Sequence, residues 1–548
     1  MTPHATSSAN SPRRPRRAPA KVRQTRREAA RAQQAAEAEA QGLTDKIMDH
    51  AAGAAAAAQT AAAITCGSLT PAELQAWMTD LEARLAAIQK CPEQNLGEIE
   101  EQVARSAREP LRLIAERAAQ AKANATPCQC SHPSCRLLGL ELTRQKRIRR
   151  TINSRFGPLN VFRAYGWCAR CEQWHFPADY ALGLGHKSPA SPYIQEISAL
   201  LVSKMPSEQA EMVARRFGLD LSRCTLHREA HRQGLKAETL RAEANAQLDA
   251  WSDIQKLAAE SAAGPSLQPF TLVIQIDAWN LRERDGWGQT AILRAKNEAP
   301  SRWHWVYMGT VFRLDHRGET AGQRAVISER GFVATRLGIE ELTRQLHREA
   351  IRRGLGQAKQ VLIIADGAVW IWNLAKDRFP EALQRLDLWH ADENLWEVAH
   401  DLYGRGTPEA RAWITPLLDQ VRDDQTPAVI QTLRELQPTL LAAEQKKLET
   451  KIEYFQNNAH RMKYKAVLQA REAVEAGQAT PEQIILANQP VGSGPIESTC
   501  RQYQCRFKRT GQFWTLPGDE ALLALETLWR NGRWTDLYPH AKDPAALN

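Results

Sequence analysis

The chain has 548 residues, too many for one hydrophobic core, so three or more folded units are expected. Apolar content of 43% and charged content of 24% suit a soluble globular protein, and the alanine-dominated stretch 51–63, interrupted by Gln59, is not a membrane span. Against 62 Asp and Glu stand 72 Lys and Arg, a net charge of +10 that favours a polyanionic partner, nucleic acid ahead of membrane.

Residues 1–64 read as a basic, alanine-rich arm, largely disordered or helical. Arg13, Arg14, Arg16, Arg17, Lys21, Arg23, Arg26, Arg27 and Arg31 face a single acid, Glu28, within the first 35 positions. Such an arm attracts DNA or merely solvates the terminus. It lacks the apolar segment of a secretory signal, which favours a cytoplasmic protein. Residues 65–125 are helical, one helix running from Thr70 (N-cap) and Pro71 to Lys90, another from Gly97 to Lys122.

Residues 126–190 change to short strands. Lys146–Phe156 and Leu159–Tyr165 alternate around Gly157-Pro158, which reads as a hairpin turn. Five cysteines flank it: Cys128, Cys130 and Cys135 before, Cys168 and Cys171 after. Tetrahedral zinc takes two ligand pairs from tight turns. Cys168/Cys171 is one pair, and the other is either Cys130/Cys135 or Cys128/Cys135, with His132 beside them. A structural Zn²⁺ would staple a hairpin too small to fold alone. Arg147, Arg149, Arg150 and Arg155 make the hairpin a DNA-contact candidate.

Residues 191–245 resemble a helix-turn-helix. Pro206–Phe217 and Ser222–Gly234 are the helices, Gly218 lies in the turn, and Arg223, Thr225, His227, Arg228 and Arg232 are on the second helix. From 265 to 400 strands and helices alternate, the pattern of an α/β domain. Residues 401–485 are helical and charged, and 486–540 complete the α/β domain.

The chemistry lies in three carboxylates. Phe270-Thr-Leu-Val-Ile-Gln-Ile-Asp277 and Val361-Leu-Ile-Ile-Ala-Asp366 are strand-like runs ending in aspartate, and Gly492-Ser-Gly-Pro-Ile-Glu497 is a tight loop opening a helix. A lone aspartate at a strand end usually caps a turn, so the reading rests on the combination. Three hard oxygen donors from separate segments are what two Mg²⁺ ions about 3.5–4 Å apart require for phosphoryl transfer. Arg501, Arg506, Lys508 and Arg509 follow Glu497, interleaved with Phe507, Phe513 and Trp514. Arginines suit phosphates and aromatics suit unpaired bases.

These motifs, with Asp387-Leu-Trp-His390, resemble the DDE transposases of bacterial insertion sequences in the branch related to Mutator-like elements, over roughly residues 125–540. The resemblance implies a multidomain α/β protein with a ribonuclease-H-like core: a mixed five-stranded sheet with flanking helices, interrupted by an all-α insertion at 401–485. Asp277 would sit on the first strand, Asp366 just after the fourth, and Glu497 on the helix beyond the insertion. It implies two Mg²⁺ or Mn²⁺ ions on these three residues, hydrolysis at the transposon end, and attack of the freed 3′-OH on target DNA. His390 could touch a phosphate or be a buried structural histidine. Implied partners are double-stranded DNA (terminal inverted repeats and target) and a second copy, in a homodimer or larger synaptic complex. The protein would be nucleoid-associated when bound. A metal-dependent nuclease of the same fold and a catalytically silent DNA-binding repressor are the competing readings.

Overall fold

The structure, a computed structural model, describes residues 71–89, 95–185, 188–252, 254–256, 258, 269–284, 288–299, 301–319 and 325–539. The basic arm expected over 1–64 lies outside them. The chain divides at Ser191 into two units, described separately.

In the first unit, helices α1 (Pro71–Gln89) and α2 (Leu96–Ala125) precede strands β1 (Thr143–Ser154), β2 (Gly157–Cys168) and β3 (Gln173–His175). Asn95 and Glu98 form a capping box, the Glu98 N–H donating to Asn95 Oδ1 at 3.2 Å and the Asn95 N–H to Glu98 Oε2 at 3.0 Å. Ser154 pairs with Gly157, so the hairpin turn is Arg155-Phe156, not Gly157-Pro158. Pro158 instead opens the second strand, where a missing N–H costs little. The far edge of β2 is covered by α2. Glu116 accepts the Asn160 N–H at 2.7 Å, while Gln120 accepts from Phe162 N and donates to Phe162 O, both at 2.8 Å. Ile152, Leu159 and Val161 pack under Ala119 and Ala123.

The second unit begins with α3 (Pro192–Lys204), α4 (Ser207–Arg216) and α5 (Arg223–Ala250). The helix-turn-helix segment is present as helices, but its second helix runs 28 residues, well past Gly234. Strands β4 (Thr271–Glu283), β5 (Arg302–Arg313), β8 (Gly331–Thr335), β9 (Gln360–Ala365) and β10 (Leu383–Leu386) form one mixed sheet in the order β10-β9-β4-β5-β8. A separate ribbon pairs β6 (Arg317–Glu319) with β7 (Ala325–Ile327). In the main sheet β10, β9 and β4 are mutually parallel, and β5 and β8 run antiparallel to their neighbours. The unbroken apolar runs in β4 and β9 fit strands covered on both faces. Leu272, Ile274, Ile276, Ile363 and Ala365 join one core, and Val273, Phe312, Leu362 and Ile364 join another.

Between and after the strands lie α6 (Ile339–Arg352), α7 (Val369–Arg378), α8 (Leu388–Tyr403), α9 (Pro408–Arg422), α10 (Thr426–Leu436), α11 (Ala442–Asn458), α12 (Lys465–Glu475), α13 (Pro481–Ala487), α14 (Gly494–Phe507) and α15 (Leu516–Arg530). Residues 401–485 are all helix and connection, and their buried Ile414, Val421, Leu448, Ile452 and Phe455 belong to the same core as Leu272 and Ile274. The molecule is therefore mixed α/β with a five-stranded mixed sheet. Among the described residues no helix is long and apolar enough to cross a membrane.

Candidate active site and cysteine cluster

Strand register brings three aspartates into a row. Gln275 of β4 pairs with Ile364 of β9, and Ala365 of β9 with Leu386 of β10. Counting on from these pairs, Asp277, Asp366 and Asp387 are successive neighbours across three parallel strands about 4.8 Å apart. By alternation they share the face that carries Gln275 and Arg385. The first run does not end at Asp277, because β4 continues to Glu283 against β5; its parallel pairing with β9 ends two residues earlier, at Gln275.

Glu497 reaches this row from the first turn of α14, where the helix dipole favours a carboxylate. Its helix is fixed by Gln275, which is fully buried: Gln275 Nε2 donates to Gly492 O at 3.2 Å and Oε1 accepts the Ile496 N–H at 3.1 Å. Asp387, also fully buried, accepts the Trp389 N–H at 2.7 Å and the Ser493 N–H at 2.8 Å. The Ser493 hydroxyl donates to Asp387 Oδ2 and also lies 3.0 Å from Glu497 Oε1. One hydroxyl proton thus serves two carboxylates. Ligand atoms of Asp387, His390 and Glu497 all fall within 4.8 Å of one another, a mixed oxygen and nitrogen set able to hold a metal ion. Asp277 and Asp366 stand outside that group.

Burial, and then the Asp366 charge, hold the Asp277 carboxyl above its ordinary range, against opposing pulls from the Ala278 N–H, Cys500 and His390. A cation among these acids would reverse that balance, so the donor set fits a hard divalent ion. Asp366 accepts the Ala368 N–H at 2.9 Å, and Tyr454 of α11 donates to its carbonyl at 3.3 Å. Between them Gly367 has φ +98°, and a Cβ there would come 2.9 Å from Tyr454 and 3.0 Å from Leu386, so the turn needs glycine. The helical stretch thereby backs the site.

In the first unit the sulfurs of Cys130, Cys135, Cys168 and Cys171 lie within 4.8 Å of one another. Cys128 is not among them, so of the two pairings left open by spacing, the structure gathers Cys130/Cys135. The Cys130 and Cys171 sulfurs are 3.7 Å apart. Four thiolates at about 2.3 Å from a tetrahedral zinc stand about 3.8 Å from each other. His175 Nε2 lies 3.0 Å from Cys171 Sγ and its Nδ1 3.0 Å from Ser131, the kind of outer partner that orients a ligand. Burial pushes the Cys130 thiol up to about 12, whereas the backbone N–H groups of Cys171 and Arg170 bring Cys168 to about 7.

The cations expected at DNA divide into two groups. Arg149, Arg223, Arg228, Arg501, Lys508 and Arg509 are exposed, as is Arg147, which donates to Asn124. His390 is half-buried, 3.4 Å from Glu393. Arg150 and Arg506 are instead committed to the fold. Arg150 pairs with Asp179 at 2.5 Å and donates to Gly185 O, and Arg506 donates twice to Val202 O, at 2.7 and 3.1 Å. Trp514 is also internal. Its indole donates to Phe507 O at 2.8 Å, and its ring packs on Phe507, so it presents no open face to a base. Sequence reasoning gave no role to Gln275, Ser493 or the Asp387 carboxylate. The lone polar residue in the apolar run of β4 was the available signal for Gln275.

No model of a known protein family matches the chain, and no curated protein sequence matches it.

Proposed function

We propose that the chain is a DNA transposase: a metal-dependent enzyme that cleaves DNA at the ends of an insertion sequence and joins the freed 3′-OH to target DNA. The observation that carries this reading is the row Asp277–Asp366–Asp387 across adjacent strands, with Glu497 brought to it by α14. On this reading the five-stranded sheet is ribonuclease-H-like and the helices of 401–485 are an insertion. Support comes from the sequential order: Asp277 on the sheet's first strand, Asp366 directly after its fourth, Glu497 on the helix beyond the helical stretch. Two Mg²⁺ ions held by Asp277, Asp366 and Glu497, with Asp387 and His390 alongside, would supply the charge that stabilises the attacking and leaving oxygens. The chain's own part is to fix the carboxylates. Gln275 holds the start of α14, and Ser493 bridges Asp387 and Glu497. The cysteine quartet would hold a structural zinc, and the exposed arginines would meet phosphates of double-stranded DNA in a dimeric or larger synaptic complex in the cytoplasm.

The test is cleavage and strand transfer on a labelled duplex carrying the element's terminal repeat, with Mg²⁺, comparing wild type with Glu497→Gln. Joined product that disappears in the variant supports the reading. Cleavage without joining indicates a nuclease, and sequence-specific binding without cleavage in either protein indicates a repressor.

A further inference from the structure

Strands β4 and β5 outrun their neighbours. β9 pairs with β4 only as far as Gln275, and β8 pairs with β5 only over Tyr307–Val311. Residues 278–283 and 302–306 thus extend past β9 and β8 as a ribbon, met at its β4 edge by Trp514, which exchanges backbone hydrogen bonds with Arg282 and Arg284 at 3.1 and 2.8 Å, and its faces differ sharply. Trp279, Leu281, Glu283 and Val306 turn inward and are buried. On the outer face the register sets Arg282 opposite Trp303 and Asn280 opposite Trp305. Trp303 is 57% exposed and Trp305 51%.

Cations surround these rings. The Arg282 guanidinium lies 5.6 Å from the Trp303 ring centre and the Lys508 ammonium 5.8 Å. Arg282 and Arg284 also lie over Phe513, at 5.3 and 4.1 Å. Two neighbouring exposed indoles make a patch of the kind that marks an interaction site. Residues two apart on one strand are about 7 Å apart, close to two base steps of about 3.4 Å. Cations beside open aromatic faces are the chemistry of a single-strand stacking platform. A duplex hides its base faces and would use only the cations.

We propose that this outer face binds an unpaired nucleic-acid strand, its bases on Trp303 and Trp305 and its phosphates on Arg282 and Lys508. The inference rests on the reading of the protein as DNA-handling and deepens it. Since the face is opposite the one carrying Asp277, the strand held there is a segment flanking the cleavage point. The sequence pointed to Phe507, Phe513 and Trp514 for this role; Phe507 and Trp514 are buried, and Phe513 is half-buried beneath Arg282 and Arg284.

The test is binding of the full chain to labelled oligo(dT) and to a duplex of equal length, without Mg²⁺ and at elevated salt, where phosphate contacts weaken. The Trp303→Ala/Trp305→Ala double variant should bind oligo(dT) about tenfold or more weakly and the duplex within about twofold of wild type. The Trp303→Phe/Trp305→Phe variant, which keeps aromatic faces, should bind oligo(dT) nearly as wild type does. Undiminished oligo(dT) binding by the alanine variant, equal losses on both DNAs, or no wild-type affinity for oligo(dT) would overturn the proposal. Because no cleavage is measured, failure here is separable from failure of the transposase reading, which is decided by Glu497→Gln.

Discussion

Gln275 is a side chain whose loss should separate folding from chemistry. It is fully buried, and its amide satisfies one carbonyl and one N–H at the start of α14. Replacing it by leucine leaves Gly492 O and Ile496 N without these partners, at roughly 1–3 kcal/mol for buried groups left unpaired. The protein should still fold, but Glu497 would lose its fixed place beside Asp387 and His390. On the proposed transposase reading, Gln275→Leu should cut metal-dependent cleavage about 10–100-fold, the scale seen when outer partners of metal ligands are removed. Cleavage rates alongside thermal melting would check this, and an unchanged rate would remove Gln275 from the site. Legibility at this scale was uneven for a definable reason. The adjacency of Asp277 and Asp366 was legible because strongly apolar, strand-forming runs precede both. Arg506 misled, although Cys500, Tyr503 and Phe507 recur at helical spacing and are buried. Arg506 follows Tyr503 by three and so lies on that same inner face. Basic composition alone does not reveal which face of a helix a cation occupies.

Elements meet at fixed points, and Gly234 is one of them. Within helix α5 it faces α15, where an added Cβ would lie 2.5 Å from Ala521 Cβ and 2.6 Å from its carbonyl oxygen. Helix propensity alone favours alanine over glycine by roughly 1 kcal/mol. Overpacking a tight helix crossing costs about 1–3 kcal/mol, and here the obstacle includes backbone, so packing should win. Gly234→Ala is therefore expected to lower the urea midpoint of the second unit despite the better propensity; a raised midpoint would mean that the helices can separate cheaply. The same glycine led sequence reading to end a recognition helix near 234, when it marks a close crossing in a helix that continues to Ala250. The cysteine module gives a cleaner element-scale expectation. On the proposal that the quartet holds zinc, Cys171→Ser should abolish zinc binding and loosen the hairpin, whereas Cys128→Ser should leave zinc content at wild-type stoichiometry, because Cys128 stands outside the quartet. Metal analysis of the two purified variants decides it. Spacing left Cys128 and Cys130 equivalent because loop conformation, not length, determines which sulfur turns inward.

At the scale of the second unit, one buried ionic knot joins four separate elements. Arg336, following β8, pairs with Glu283 at the end of β4 and approaches Asp519 at 3.6 Å, while its N–H donates to Glu520 at 2.6 Å. Arg241 of α5 holds Glu520 at 2.5 Å, and His304 of β5 stands 3.7 Å from Glu283. Asp519 is fully buried, and among the described residues neither of its oxygens has a hydrogen-bond partner. Burial first, and then the neighbouring Glu283, push its carboxyl up to about 9, so the native state keeps a proton there at neutral pH. An unfolded chain releases that proton near pH 4. Between about 4 and about 9 the native state therefore binds more protons than the unfolded one, and stability must fall as pH rises through that window. Above the upper limit both states are ionised and the contribution is gone. Asp519→Asn keeps the shape and removes the titration. Its melting temperature should decline less than that of wild type between pH 6 and pH 9, with the variant the more stable protein at the alkaline end. Parallel melting curves would overturn the assignment of that proton to Asp519. Such a knot was invisible in the sequence because its members are scattered from Arg241 to Glu520, and only the fold brings their charges together.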